Sequence, residues 1–144
     1  YDLTNKIKNN LTIENRKRLF VYEGTEEKNK AIDALKMSKG KIIMGPSVRT
    51  GISFDDDFAR FAIIAKVPYP SLADNFIKTK MNINPRWYNW KTAIEIIQMV
   101  GRTVRNENDY CVTYFLDGCF SDLIHTGRSS FPLEFLNRIK IVND

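Results

Sequence analysis

Long hydrophobic runs, cysteine and histidine are all scarce in this sequence, and each shortage excludes a class of protein. No apolar run is long enough to cross a bilayer, so we expect no contact with a membrane. The first twenty residues also lack the apolar centre of a signal peptide. Two cysteines, Cys111 and Cys119, and one histidine are too few for a zinc or iron–sulfur site. We therefore expect no metal bound by this chain itself, and reduced thiols as in a cytoplasmic protein.

What the chain does contain is typical of one globular domain. It has 144 residues, of which 43% are apolar and 27% charged, enough to bury a core and too apolar for a disordered tail. We expect a single domain over residues 1–144, monomeric on its own. The net charge of +5 permits an anionic partner without requiring one.

The hydrophobic pattern alternates between helix and strand. Helical spacing occurs in 1–10, 25–40, 87–104 and 132–142, short apolar strands in 19–22, 41–44, 61–67 and 109–116, a polar loop in 45–57 and a mixed stretch in 71–86. This order predicts an α/β fold, with a parallel sheet between helices and ligands at the carboxyl ends of its strands. Strand 61–67, almost continuously apolar, should be covered on both faces. An alternating fold that starts with a helix suggests a fragment whose first strand is missing.

Near the end of the helix over 87–104, three polar side chains share one stripe. Gln98, Arg102 and Arg105 follow an i, i+4, i+7 spacing and lie within about 60° of one another on a helix. The apolar residues on nearly the opposite side are Ala93, Ile96, Ile97, Val100 and Val104. Gly101 costs roughly 1 kcal/mol inside a helix and suggests close approach of another group. The stripe is either a solvated face or a phosphate site, since guanidinium groups form bidentate bonds to phosphate.

The loop over 45–57 is the second candidate for phosphate binding. Its backbone amides, hydroxyls and guanidinium come from Gly45, Ser47, Arg49, Thr50, Gly51 and Ser53. We expect the loop to meet the Gln98 helix at the carboxyl edge of the sheet; the alternative is a solvated connection. No Gly-x-x-x-x-Gly-Lys-Ser/Thr loop is present, so the chain cannot cradle a nucleoside triphosphate in that way. The run Asp55–Asp57 is a solvated charge run or a site for a hard cation.

An aromatic cluster precedes the long helix. Trp87, Tyr88 and Trp90 either stack on nucleic-acid bases or pack against the sheet. The neighbouring Arg86 either contacts a phosphate or is an ordinary surface residue.

Several of these segments together resemble one family. They are Gly45-Pro46-Ser47-Val48-Arg49-Thr50-Gly51-Ile52-Ser53-Phe54, Val67-Pro68-Tyr69-Pro70, Gln98-x-x-Gly101-Arg102-x-x-Arg105, and Asp109-Tyr110 with a strand closing at Leu116-Asp117. Over roughly residues 1–120 they resemble the second motor domain of DinG-like and XPD-like superfamily 2 DNA helicases. The resemblance implies a RecA-like three-layer sandwich with a mostly parallel sheet.

The resemblance also implies how the site residues divide their work. ATP with Mg²⁺ would lie between two motor domains, bound mainly by a first domain that this chain lacks. Arg102 and Arg105 would be arginine fingers, and Gln98 would couple the phosphate to closure, beside Gly101. In the loop, Ser47, Arg49 and Thr50 would contact single-stranded DNA, while Gly51, Ser53 and Asp55 would lie nearer the nucleotide. Arg86 is a further candidate for a DNA phosphate from its place beside the aromatic cluster, independently of the resemblance. Many members have Glu and Asp where this chain has Thr50 and Ser53.

Two other hypotheses remain open from the sequence. The chain could be a basic α/β module that holds nucleic acid or protein without a role in hydrolysis. It could also be a structural domain whose arginine stripe pairs with its own acids. Under the helicase hypothesis, the chain alone should be inactive.

Overall fold

Parallel strands flanked by helices make up the described part of the chain. The computed structural model describes residues 2–38, 40–46, 54, 58–104 and 106–142. The elements are α1 (Asp2–Asn10), α2 (Ile13–Arg18), β1 (Leu19–Val21), α3 (Thr25–Met37), β2 (Ile42–Met44), β3 (Phe61–Ile64), α4 (Asn75–Ile83), α5 (Pro85–Val100), β4 (Val112–Phe115), α6 (Cys119–Thr126), a 3-10 helix (Arg128–Ser130) and α7 (Leu133–Leu136). The predicted RecA-like α/β class is confirmed. None of the helices in these residues is long and apolar enough to span a membrane.

The N-terminal region, residues 2–46, contains the first pair of strands. β1 and β2 run parallel, with Leu19 opposite Ile42 and Val21 opposite Met44. Helix α3 lies against this pair and buries Ala31 and Ile32. It is followed by a turn in which Gly40 has φ +79°, a left-handed conformation that suits glycine.

The C-terminal region, residues 58–142, contains the second pair and the main core. β3 and β4 are parallel over four residues, from Phe61 opposite Val112 to Ile64 opposite Phe115. The core consists of Val67, Ala93, Ile96, Phe120, Leu123 and Phe131, and Phe115 packs against it. Among the described residues the strands thus form two parallel pairs, where the sequence predicted one continuous sheet.

The outer face of the second pair is exposed and apolar. Phe61 is 46% exposed, Ile63 54% and Tyr114 50%. The prediction that strand 61–67 is covered on both faces is therefore wrong, and the strand has four residues instead of seven. The core-forming helices contact the opposite face, which carries Ile64 and Phe115, so alternate side chains point away from the core.

The periodicity analysis missed three helices, α2, α4 and α6; side-chain caps mark where the first two begin, whereas α6 has no side-chain cap. In α4, the Asp74 carboxylate accepts hydrogen bonds from the backbone N–H groups of Phe76 and Ile77. In α2, Thr12 Oγ1 accepts one from Asn15. The last predicted helix, 132–142, is confined to Leu133–Leu136.

Candidate functional site

Helix α5 presents one face to the core and Gln98 to solvent, as the sequence predicted. Ala93 and Ile96 are fully buried, while Ile97 and Val100 are partly buried against the same core. Gln98 is exposed on the last turn of the helix. The helix is thus firmly seated, and its polar end is available to a ligand.

The helix ends at Val100, four residues earlier than predicted. Gly101 is its C-cap, with φ −68°, and its N–H bonds to the carbonyl of Ile97 at 2.9 Å. The buried hydroxyl of Thr103 donates to the carbonyl of Val100 at 3.0 Å and so satisfies a free group at the helix end. The prediction of one continuous helical stripe is therefore wrong: Arg102 lies in the turn after the helix. Gly101 lies at the end of the helix and not inside it. The expected cost of a glycine inside a helix, from which we predicted close approach of another group, therefore does not apply.

Arg102 is nevertheless held in place through its backbone. Its carbonyl accepts a hydrogen bond from the N–H of Phe54 at 3.0 Å, and the Phe54 side chain is buried. Phe54, within the predicted phosphate loop, therefore meets the end of α5. Within the described residues the half-buried Arg102 side chain forms no salt bridge, whereas Arg60 pairs with Asp109 and Lys91 with Glu95.

From the order of the elements we infer that this junction lies at the edge where β3 and β4 begin. Phe54 precedes β3 and Arg102 precedes β4 along the chain. The prediction of a meeting at the carboxyl edge is wrong for this pair of strands. The reason is topological: a helix that connects two parallel strands runs back along them, so its last turn lies where the next strand starts.

An ion pair that the sequence analysis missed fastens the same edge. Arg60 donates from Nη1 to Asp109 Oδ1 at 2.7 Å and to the carbonyl of Tyr110 at 3.1 Å. Its guanidinium carbon lies 4.5 Å from the centre of the Tyr110 ring, and the Asp109 side chain is completely buried. Asp109-Tyr110 belongs to the family resemblance, which assigned it no role. The pair ties the segment before β3 to the segment between Arg102 and β4.

At the opposite edge, Asp117 joins the ends of the two strands. Its carboxylate accepts hydrogen bonds from the N–H groups of Val67, at 2.9 Å, and Cys119, at 3.0 Å. The bond from Val67 holds the pKa of the Asp117 carboxyl below its ordinary value of 3.8. The hydrogen bond with Asp117 in turn raises the pKa of the Cys119 thiol above 9.0.

The aromatic residues near the start of α5 divide between packing and exposure. Tyr88 stacks on Tyr69, with ring centres 5.4 Å apart, and its hydroxyl donates to the carbonyl of Pro70 at 2.8 Å. Burial raises the pKa of both tyrosines above 10.0. Trp87 is half-buried and Trp90 is 48% exposed. Packing is thus the role of Tyr88, while Trp90 remains accessible.

The structure brings together only some of the predicted site residues. Gln98, Gly101 and Arg102 lie at one end of α5, while Arg86 is exposed in its first turn, roughly 20 Å away along the helix. The predicted residues outside the described part of the chain are Ser47, Arg49, Thr50, Gly51, Ser53, Asp55 and Arg105. The described residues contain no cluster of three His, Cys, Asp or Glu side chains suited to a metal. That this chain binds no metal stays a prediction.

Comparison with known proteins identifies the family. The model of the helicase C-terminal domain matches residues 1–132. The chain belongs to this family. The resemblance to the second motor domain of DinG-like and XPD-like helicases is thereby confirmed.

Curated relatives carry helicase names. The chain is 30% identical over 105 residues to the regulator of telomere elongation helicase 1 homolog of Drosophila persimilis, over 106 residues to that of Drosophila virilis, and over 105 residues to that of Drosophila melanogaster. The alignments cover 62% of this chain and 10% or 11% of each relative. The chain thus spans about a tenth of the length of these proteins.

Proposed function

We propose that this chain is the second motor domain of an ATP-dependent DNA helicase that moves along single-stranded DNA inside the cell. The observation that carries the proposal is Arg102: it lies in the helicase-family signature, half-buried, fixed through its carbonyl to Phe54, and without a carboxylate partner among the described residues. A half-buried guanidinium that no carboxylate among the described residues neutralises suits an anionic ligand. The helicase names of the relatives support the same conclusion.

The residues at the end of α5 would act on the phosphates of ATP held by the first motor domain of the same polypeptide. Arg102 and Arg105 would stabilise negative charge as it develops on the transferred phosphoryl group, and Gln98 would sense that phosphate, with Gly101 beside it. ATP with Mg²⁺ would supply the free energy for closing and opening the cleft between the domains. This chain would contribute side chains to that site and bind neither Mg²⁺ nor any other metal by itself.

The loop over 45–57, which contains Phe54, would connect the nucleotide to the DNA. Ser47, Arg49 and Thr50 would contact the DNA backbone, and Gly51, Ser53 and Asp55 the nucleotide side. These roles rest on the family signature. The hydrogen bond from Phe54 to Arg102 provides a direct mechanical link between this loop and the arginine turn.

The test is an arginine substitution in the complete parent protein. We expect Arg102→Ala to lower DNA-stimulated ATP hydrolysis about a hundredfold or more, because a charge aimed at the transition state is lost, while DNA binding is retained. Arg105→Ala should act in the same way. Arg102→Lys should restore little activity, since lysine cannot form the bidentate contact.

The matched control is Arg138→Ala, which removes an exposed arginine of the C-terminal region outside the candidate site. Its ATPase rate should equal that of the wild-type protein. Normal turnover in both Arg102→Ala and Arg105→Ala would refute the motor assignment and favour the alternative of a non-catalytic basic binding module.

A further inference from the structure

We propose that the helical hairpin of α4 and α5 carries a separate contact site for single-stranded DNA. The site, here named the hairpin patch, consists of Phe76, Lys80, Ile83, Trp87, Trp90 and Lys91. The choice of DNA as the ligand rests on the proposed function. The location of the patch does not rest on the proposed function, since it follows from the charge, exposure and contacts of residues far from Arg102.

The hairpin is basic throughout. From Asn75 to Lys91 the sequence contains Lys78, Lys80, Arg86 and Lys91 and not one Asp or Glu. The nearest acids along the sequence are Asp74, which caps the start of α4, and Glu95, which lies 3.2 Å from Lys91. A stretch of 17 residues with four cations therefore has almost no internal neutralisation and favours a polyanion.

Large apolar side chains are exposed on the same hairpin. Phe76 is 67% exposed, Ile83 79% and Trp90 48%. Flat aromatic rings held at a surface beside cations are the combination by which proteins bind single strands, because each base can stack while the backbone is neutralised. Lysine is depleted at protein–protein interfaces, so the same composition argues against a protein partner.

Contacts show that the two helices form one surface. The Lys80 ammonium lies 4.3 Å from the centre of the Trp87 ring and 5.5 Å from that of Phe76. Trp90 and Lys91 follow Trp87 by three and four residues and therefore share its side of α5. Ile83 follows Lys80 by three residues on α4. The patch thus alternates rings and cations across the hairpin.

The chain offers a direct optical test of the patch. Its two tryptophans, Trp87 and Trp90, both belong to the patch, so intrinsic tryptophan fluorescence reports on this surface alone. We expect an oligothymidylate of about twenty nucleotides to quench this fluorescence in the full 144-residue chain. Affinity from the anisotropy of a labelled oligothymidylate should give the same titration midpoint.

Substitutions then assign the contacts. Trp90→Ala should weaken oligothymidylate binding about tenfold, the usual effect of losing one base–aromatic stack. Lys80→Gln should weaken it less but lower the slope of log affinity against log salt by about 0.7, the value for one phosphate contact on a single strand. Trp90 is exposed and Lys80 half-buried, and thermal melts by circular dichroism will show whether each variant retains the fold.

Two matched controls come from outside the hairpin. Tyr114→Ala removes a ring that is 50% exposed on β4, and Lys36→Gln removes an exposed lysine of α3. Both should bind oligothymidylate like the wild-type chain. The proposal is overturned if the oligonucleotide does not bind, if it binds without quenching, if the patch variants match these controls, or if vesicles of anionic phospholipid quench and the oligonucleotide does not.

The result separates the two proposals. If the hairpin patch does not bind oligothymidylate but Arg102→Ala still lowers ATP hydrolysis, only the hairpin patch is refuted. If the hairpin patch binds oligothymidylate but Arg102→Ala and Arg105→Ala hydrolyse ATP normally, only the motor assignment is refuted.

Discussion

The N-terminal and C-terminal regions contain the same motif, a parallel strand pair beside helices, but bury its side chains to different degrees. In the first, all six strand residues are half-buried, and the buried hydrophobic residues are Tyr22, Ala31 and Ile32. In the second, Ala93, Ile96 and Leu123 have no exposure at all and belong to a larger cluster. The difference teaches that the candidate arginine turn is built on the better-packed region, where a helix end can be held firmly.

The largest expected difference between the regions is the cost of losing core volume. Leu123→Ala should lower the free energy of unfolding by about 3 kcal/mol, because the side chain is fully enclosed and leaves a cavity. The same change at the half-buried Leu35 of α3 should cost about half as much. Urea unfolding followed by circular dichroism will measure both, and equal costs would contradict the contrast between the regions.

The second-largest expected effect is a loss of stability at a tight contact within the less buried N-terminal region. A methyl group at Gly45 would overlap the ring of Tyr22, which is buried and cannot easily move. We expect Gly45→Ala to destabilise the chain by about 2 kcal/mol. Gly118→Ala is the control, since φ is −56° and a methyl group there meets no atom within 4 Å. A neutral Gly45→Ala would mean that the first region packs more loosely than described.

The smallest expected effect is the pH dependence that Asp117 gives to the second region. Because its pKa is lower in the folded chain than its ordinary value of 3.8, the carboxylate contributes stability above about pH 4. That contribution is lost as the pH falls through the folded value. Asp117→Asn should therefore cost about 1 kcal/mol at pH 7 and flatten the acid limb of the unfolding curve. An unchanged acid limb would show that the Val67 contact does not favour the charged form.

Much of the fold could be predicted from the sequence because hydrophobic periodicity records burial. The buried side of α5, with Ala93 and Ile96, was predicted in this way and is confirmed. The end of the same helix was not, because it depends on a glycine cap and on the hydroxyl of Thr103, neither of which alters the apolar pattern. Helix α4 was missed for a similar reason, since Asp74 sets its start.

The candidate site was harder to predict than the fold. The hydrogen bond between Phe54 and Arg102 joins only backbone atoms, so no side-chain type in the sequence predicts it. Arg60 and Asp109 are 49 residues apart in the sequence, and each by itself is an ordinary charged residue. The family signature indicated which arginine to propose as functional, but the edge of the strands on which it lies followed only from the connection between α5 and β4.

The apolar outer face of β3 and β4 has a consequence for how these strands find their alignment. Where one face of a strand is polar, slipping by one residue buries polar groups and is strongly penalised. Phe61-Ala62-Ile63-Ile64 is apolar on both sides, so for β3 this penalty is nearly absent. Alignment must then be enforced at the two ends, by the Arg60 bond to Asp109 at one and the Val67 bond to Asp117 at the other. Asp109 and Asp117 thus fix the register of β3 against β4, one at each end of the strand pair.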